Sequence, residues 1–266
     1  MRKRSRIGFA LLLLAVIGGI AWLAFRPNEP AYKGKRLSVW LEGYRVANVA
    51  SSQDMKALHE LDEVVRSSGT NAIPTLLRRL QAKDSSLTLW LVALAGKQHL
   101  FNVKFASAAE KQQEGTYGFM ALGADGKAAV PELIKMYEQD SSPDSRSTVT
   151  LVLCFIGPAA EQAVPMLVRS LGDKTSGSWF EAALALGKIH ARPEIAVPAL
   201  VKCLNDQDFQ VRLYAAKAIG AFGSDARLAV PDLLKLLADS NAKVQNAAKD
   251  ALKRIDPEAA AEAGVK

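Results

Sequence analysis

The feature that most constrains this chain is a recurrence. Ala129-Val130-Pro131, Ala163-Val164-Pro165, Ala196-Val197-Pro198 and Ala229-Val230-Pro231 set four prolines 34, 33 and 33 residues apart. Counted from each proline, position −1 is Val in every unit and position +2 is Leu133, Leu167, Leu200 or Leu233. Position +3 is Ile134, Val168, Val201 or Leu234, and position +6 is Tyr137, Leu171, Leu204 or Leu237. Those offsets are i, i+3, i+4 and i+7, the single apolar stripe of an amphipathic helix. Proline falls in the first turn, where its missing N–H has no helical partner to lose. An earlier copy fits the same template at Ile73, Pro74, Leu76, Leu77 and Leu80. Units of this size bury such a stripe only against a neighbour, so the pattern demands a stack.

Each proline helix runs into an acidic turn at Asp140, Asp173, Asp206 or Asp239, and a second helix follows. Its clearest copy reads from Val211-Arg212 through Ala215, Ala216, Ile219 and Phe222 to Gly223. Eight residues before the next proline stand Gly123, Gly157, His190 and Gly223, where a helix stops in the left-handed conformation. Three residues before those stops are Met120, Cys154, Gly187 and Gly220. Two glycines at that slot predict a close approach of the second helix to its neighbour, and a buried, unreactive thiol at Cys154. A disulfide between Cys154 and Cys203 is the alternative.

A proline-started helix, an Asp turn and a second helix of small residues ending in Gly resemble the HEAT repeat, in the short form named after phycobilin lyases. The resemblance covers about residues 54–255. Asp206 with Val211-Arg212 matches the family's turn and Val-Arg pair most closely; Asp239 with Val244 follows it, with Gln245 where Arg is usual. Ahead of the repeats, Tyr32, Gly34, Lys35, Leu37, Ser38, Trp40 and Leu41, with Gly69-Thr70-Asn71-Ala72 before Pro74, are similar to a segment of bacterial membrane-anchored HEAT proteins of unassigned function. The resemblance implies an all-α fold, a right-handed α-solenoid of HEAT-like helix pairs over residues 38–255. Within it we expect leading helices over 38–67, a first pair over 72–97, an irregular joint at 98–104 and a helix near 105–122. Residues 256–266 form a tail.

Ile7 to Phe25 are nineteen residues without a charge, enough for about 28 Å of helix. The run is longer than a signal-peptide core and lacks a small-residue cleavage site, so residues 1–25 are expected to be a basic leader and an uncleaved transmembrane helix, with 26–37 as a tether. Arg2, Lys3, Arg4 and Arg6 favour an inside N-terminus, which puts the body on the periplasmic or extracytoplasmic side of the cytoplasmic membrane. Residues 1–36 hold eight bases against Glu29, the whole of the chain's net +7, so the body is neutral and the sequence pI of 9.4 does not speak for nucleic acid.

Stacked pairs present a concave face lined by second helices. Its outward positions in this register include Glu114, Tyr117, Trp179, Glu181, Lys188, Tyr214, Lys217, Asp250 and Arg254. The last seven make the candidate protein-binding set, read either as a partner groove or as a solvated face with incidental aromatics. Related di-iron hydroxylases repeat a His-Glu pair across units; here only His59-Glu60 has it, His99 being followed by Leu100 and His190 by Ala191. Phosphate-loop, dinucleotide, zinc-hydrolase and serine-hydrolase motifs are absent from the sequence. The expected function is a membrane-anchored, non-catalytic protein-protein interaction scaffold with an unidentified protein partner. No catalytic, metal or cofactor-binding residue, no cofactor and no nucleic acid are expected. The alternative is a lyase-like or hydroxylase-like HEAT enzyme or accessory factor.

Overall fold

The structure, a computed structural model, describes residues 29–46, 52–84, 86, 106–140, 142–173 and 179–265. The expected anchor and the expected joint at 98–104 lie outside the described residues. The described chain opens with a two-strand hairpin, β1 (Ala31–Tyr32) and β2 (Lys35–Arg36), turned at Lys33 and Gly34, both with positive φ. Three helices follow, α1 (Leu37–Leu41), α2 (Gly43–Val46) and α3 (Ser52–Ser68). Of the expected tether, the hairpin folds back on α1, where the Trp40 indole donates to the Tyr32 carbonyl at 3.1 Å.

Five helix pairs come next: α4 (Ile73–Leu80) with α5 (Ala108–Leu122), α6 (Val130–Gln139) with α7 (Pro143–Ile156), α8 (Val164–Leu171) with α9 (Trp179–Ile189), α10 (Pro193–Cys203) with α11 (Phe209–Ala221), and α12 (Val230–Lys235) with α13 (Ala242–Ile255). A last helix, α14 (Pro257–Glu262), folds back on α13 and buries Ala260, so the tail closes the stack. The proline stripes are inside as the periodicity requires: Leu76, Leu133, Leu167, Leu200 and Leu233 have no exposed surface. So are Val211, Ala215, Ile219 and Phe222 of α11. The segment Pro143–Leu171, apolar enough to resemble a membrane span, is α7, a 3-10 turn and α8, and half of its most apolar window is buried inside the stack.

The stops are where the sequence puts them. Gly123, Gly157 and Gly223 have positive φ of 56°, 66° and 52°, and His190 has a positive φ of 48°; Gly123 and Gly157 combine it with ψ of −131° and −138°, so they stop their helices outside the left-handed helical well that was expected. A 3-10 turn then leads to the next proline helix after three of the stops, at Gly123–Ala129, Gly157–Ala163 and Gly223–Ala229.

The first pair departs from the expectation. The helix packed on α4 is α5, which the expectation placed after the joint; residues 85 and 87–97, where the expected second helix falls, lie outside the described residues. Asp256, just after α13, takes the place of the stop in the last unit. In three units the residue eleven before the stop donates to the carbonyl eight after the proline: Arg212 to Asp206, Gln245 to Asp239, and Gln112 to Ala82, at 2.7, 2.7 and 3.0 Å. The Ala108 N–H also bonds the Asp84 carboxylate at 2.9 Å. Helix α5 therefore sits against α4 as α11 sits against α10, and Gly115 and Gly118 let it close in on Leu76 and Leu80. The spacing from Pro74 to Pro131 is 57 residues, 24 more than the period, and the surplus lies inside the first pair.

Successive second helices pack on one another without a break from α5 to α13, whereas among first helices only α8 and α10 do so to any extent. The tighter layer is the inner one. Excising residues 85–105, which joins Asp84 to Ala106, is expected to leave a cooperative thermal transition with Tm within about 5 °C of the parent. A broad or missing transition by circular dichroism would show that α5 needs the excised segment.

Candidate functional site

From α7 to α13 the inner layer turns two columns of each second helix away from the packing; in α5 the same positions are covered, Ala121 being buried. Six residues before the stop stand Tyr117, Leu151, Leu184, Lys217 and Asp250; two before it stand Ala121, Phe155, Lys188, Ala221 and Arg254. The columns are four residues apart on each helix and so adjoin. Leu151 and Leu184 are 39% and 42% exposed, although both come from apolar helices with a full core stripe of their own. Lys188, Lys217, Asp250 and Arg254 are exposed as expected.

Trp179, Phe180 and Tyr214 form one aromatic group across α9 and α11. The Trp179 ring lies 5.8 Å from Phe180 and 6.2 Å from Tyr214 in edge-on contacts, and Phe180 lies 5.7 Å from Tyr214. Lys217 places its ammonium 5.5 Å from the centre of the Tyr214 ring, close enough for a cation–π attraction. The structure thus joins three candidate residues, Trp179, Tyr214 and Lys217, and adds Phe180, which is 37% exposed. Tyr214 is half-buried and rests on the core, so its surface assignment holds for one side of the ring only.

Two expected outward residues are turned inward. Glu114 is 1% exposed, with Arg79 at 3.3 Å and Arg45 at 3.5 Å. Burial pushes its pKa up against the pull of Arg79 and Arg45, and neither carboxylate oxygen has a hydrogen bond. The cause is local: α2 and α3 close the end of the stack over α5, and Tyr44 of α2 also packs on Tyr117, ring centres 5.6 Å apart. Glu181 is half-buried, accepting from the Ser147 hydroxyl of α7 at 2.8 Å while its other oxygen is buried without a partner. It bridges two second helices and offers little to a ligand.

Sequence reasoning passed over Leu151, Phe155, Leu184 and Phe180. Leu184 shares its slot with Lys217, and alignment of the second helices by their stops puts Leu151 in that slot too, off the seam. His59 and Glu60 lie on α3, His59 facing Glu63 at 3.4 Å and Glu60 bonded to Lys33 at 2.7 Å. No cluster of three metal-type side chains occurs among the described residues.

Cys154 and Cys203 are both half-buried and no disulfide joins them. Burial pushes the Cys154 thiol up to about 11. The glycine slot next to it behaves as predicted: a Cβ on Gly187 would stand 3.1 Å from the Ala218 Cα, and one on Gly220 would stand 2.9 Å from the Ala251 Cα.

Comparison with known proteins bears on the second half of the chain. A family model described as HEAT repeats matches residues 130–212 and 197–263. No curated protein matches the chain significantly. Among solved structures, a designed armadillo repeat protein in complex with the peptide (KR)4 is similar at 21% identity, with 82% of this chain and 99% of that chain covered and a TM-score of 0.46. Two engineered proteins, each 21% identical, give TM-scores of 0.43 over 82% and 86% of this chain and 97% and 71% of their own.

Two expectations follow. Tyr214→Ala should lower stability by about 1–2 kcal/mol, through its half-buried ring, and Lys217→Ala by no more than about 0.5 kcal/mol, both read by denaturant unfolding. Cys154 alkylation by iodoacetamide should be slow at pH 8 and keep rising with pH beyond 9, because the reactive thiolate forms only as the raised pKa is approached. A rate that levels off near pH 9 would contradict this.

Proposed function

The chain belongs to the HEAT-repeat family, and from that premise we propose that it is a membrane-anchored, non-catalytic scaffold that binds another protein on its inner face. The observation that carries the reading is the exposed apolar column of Leu151 and Leu184 beside the Trp179, Phe180 and Tyr214 group. Stacking leaves Leu151, Phe180 and Leu184 exposed, and their exposure costs hydration free energy that a partner would recover. Interleaved charges of both signs, Lys217 beside Asp250 in one column, suit a protein surface better than a phosphate backbone.

Membrane attachment rests on the nineteen-residue apolar run and its basic leader. The run ends at Phe25, and Glu29 is already fixed to the body, with its carboxylate 3.1 Å from Arg78 and 3.4 Å from the Ser38 N–H. An anchor there holds the first pair close to the bilayer, on the extracytoplasmic side if the leader stays inside.

One experiment with two arms tests the whole reading. A photo-crosslinking residue at position 184, irradiated in native membranes, should give discrete protein adducts, and one at the exposed Leu228 of the outer turn should not. A reporter active only in the cytoplasm, fused after Lys266, should be silent. Equal adducts from both positions would remove the inner face as the docking surface, and an active reporter would reverse the topology.

A further inference from the structure

The inner face is not uniform along the stack. The column six before the stop runs Leu151, Leu184, Lys217, Asp250, and the column two before it runs Phe155, Lys188, Ala221, Arg254. The first changes from apolar to charged between α9 and α11; the second gains its first cation one helix earlier, at Lys188 of α9, and has Ala221 between its two cations. Leu151 and Phe155 are followed by Leu184 and Lys188, and those by Lys217 and Arg254, so each of the last three second helices brings one cation to the face. All three cations are exposed, with no carboxylate in ion-pair reach among the described residues. Elsewhere the stack does pair its arginines: Arg212 forks onto Asp239 at 2.7 and 2.9 Å, and Arg146 meets Asp173 at 3.2 Å. Asp250 is the single acid in the two columns, so the charged half is cationic in sum.

We propose that this face takes an extended peptide segment of two parts, large apolar side chains seated on α7 and α9 and a run of carboxylates set against Lys188, Lys217 and Arg254. The inference rests on the inner face being the binding surface, and it adds the chemistry of the occupant. Neighbouring helices stack about 10 Å apart, so α7 to α13 spans about 30 Å, which roughly nine residues of extended chain cover. Phe180 and Tyr214 lie at the junction of the two parts, where a partner side chain gains apolar contact while its neighbouring carboxylate reaches Lys217. A single-stranded nucleic acid would also meet cations and rings, but Leu151 and Leu184 offer no stacking platform and Asp250 would repel its backbone.

The test uses the full chain in nanodiscs of zwitterionic phospholipid and fluorescently labelled peptides read by anisotropy. The probes carry three leucines joined to four glutamates, in both orders, with counterparts in which lysines replace the glutamates. One glutamate order should bind at least about tenfold more tightly than its lysine counterpart, and less tightly as salt rises. The double variant Lys217→Glu, Arg254→Glu should reverse that preference, and Leu151→Ser with Leu184→Ser should weaken every peptide. Circular dichroism melting confirms that each variant is folded. Equal binding of glutamate and lysine peptides, or indifference to the charge reversal, overturns the acidic class and leaves the inner face as the binding surface. Failure of every peptide to bind, or binding that neither pair of variants weakens, overturns the surface as well. A ten-nucleotide oligouridylate that displaces the glutamate peptide at lower concentration would assign the cations to phosphate and overturn the proposal.

Discussion

Successive second helices touch where one of them has almost no side chain. At the slot three before the stop, Gly187 and Gly220 leave the next helix's Ala218 and Ala251 backbone closer than a Cβ would tolerate without a shift. The same slot holds Cys154 in α7 and Met120 in α5, and the extent of contact between successive second helices rises along the chain in the order Met120, Cys154, Gly187, Gly220. Bulk at one position thus sets how near two helices come. Nearness then sets the rest: the inner layer becomes the short side of the stack, the apolar stripes on the first helices meet beneath it, and residues off the seam are left facing the concavity.

A second interaction keeps the units in register. Arg212 caps its own turn through the Asp206 and Gln207 carbonyls and forks onto Asp239 of the next unit, and Arg146 reaches Asp173 likewise. The pair has bidentate geometry and little exposure, 13% for Arg212 and 6% for Asp239, and the guanidinium holds the Asp239 carboxyl below its ordinary pKa. Its stabilisation is therefore present above the ordinary Asp value and lost as pH falls through the lowered one. In α9 the equivalent position, eleven before the stop, is Trp179. That unit gives up the arginine of the ladder and gains the ring that meets Phe180 and Tyr214. A local rule broken at the candidate surface, where its neighbours keep it, is the pattern expected of a functional position.

Periodicity made the core legible because burial in a stack repeats with the sequence. Val211, Ala215, Ile219 and Phe222 are buried, and four stops share a positive φ, His190 among them despite its side chain. What escaped lies where the repeat is interrupted or ends. The 24-residue surplus was placed after the first pair because a proline marks only the first helix of a unit; the polar contacts of Gln112 with Ala82 and of Ala108 with Asp84, which identify α5, are distant in sequence. Glu114 read as outward from the register of interior units, but it belongs to the terminal pair, whose inner side is covered by α2 and α3. The candidate surface was half legible: charge and aromatic character marked Lys188, Tyr214 and Lys217, while Leu151 and Leu184, with neither, were not counted among the binding residues.

The ends of the stack decide where a surface is left. A solenoid must cover the stripes of its first and last units, and this one does so asymmetrically. At the front, α2 brings Arg45 onto Glu114 and Tyr44 onto Tyr117, and the Tyr44 hydroxyl donates to Asp62 of α3 at 2.7 Å, so the inner side of α5 is closed by a network of charge and ring contacts. At the back, α14 covers α13 through the small side chain of Ala260, leaving Asp250 and Arg254 exposed. The open window therefore runs from α7 to α13, and the change from apolar to cationic falls inside it, beginning at Lys188 of α9 and complete in the other column at Lys217 of α11. Had the front cap been as slight as the rear one, Tyr117 would extend the apolar half by another helix. The cap instead fixes its length at α7 and α9, with Leu151, Phe155 and Leu184 as the side chains that a partner meets there.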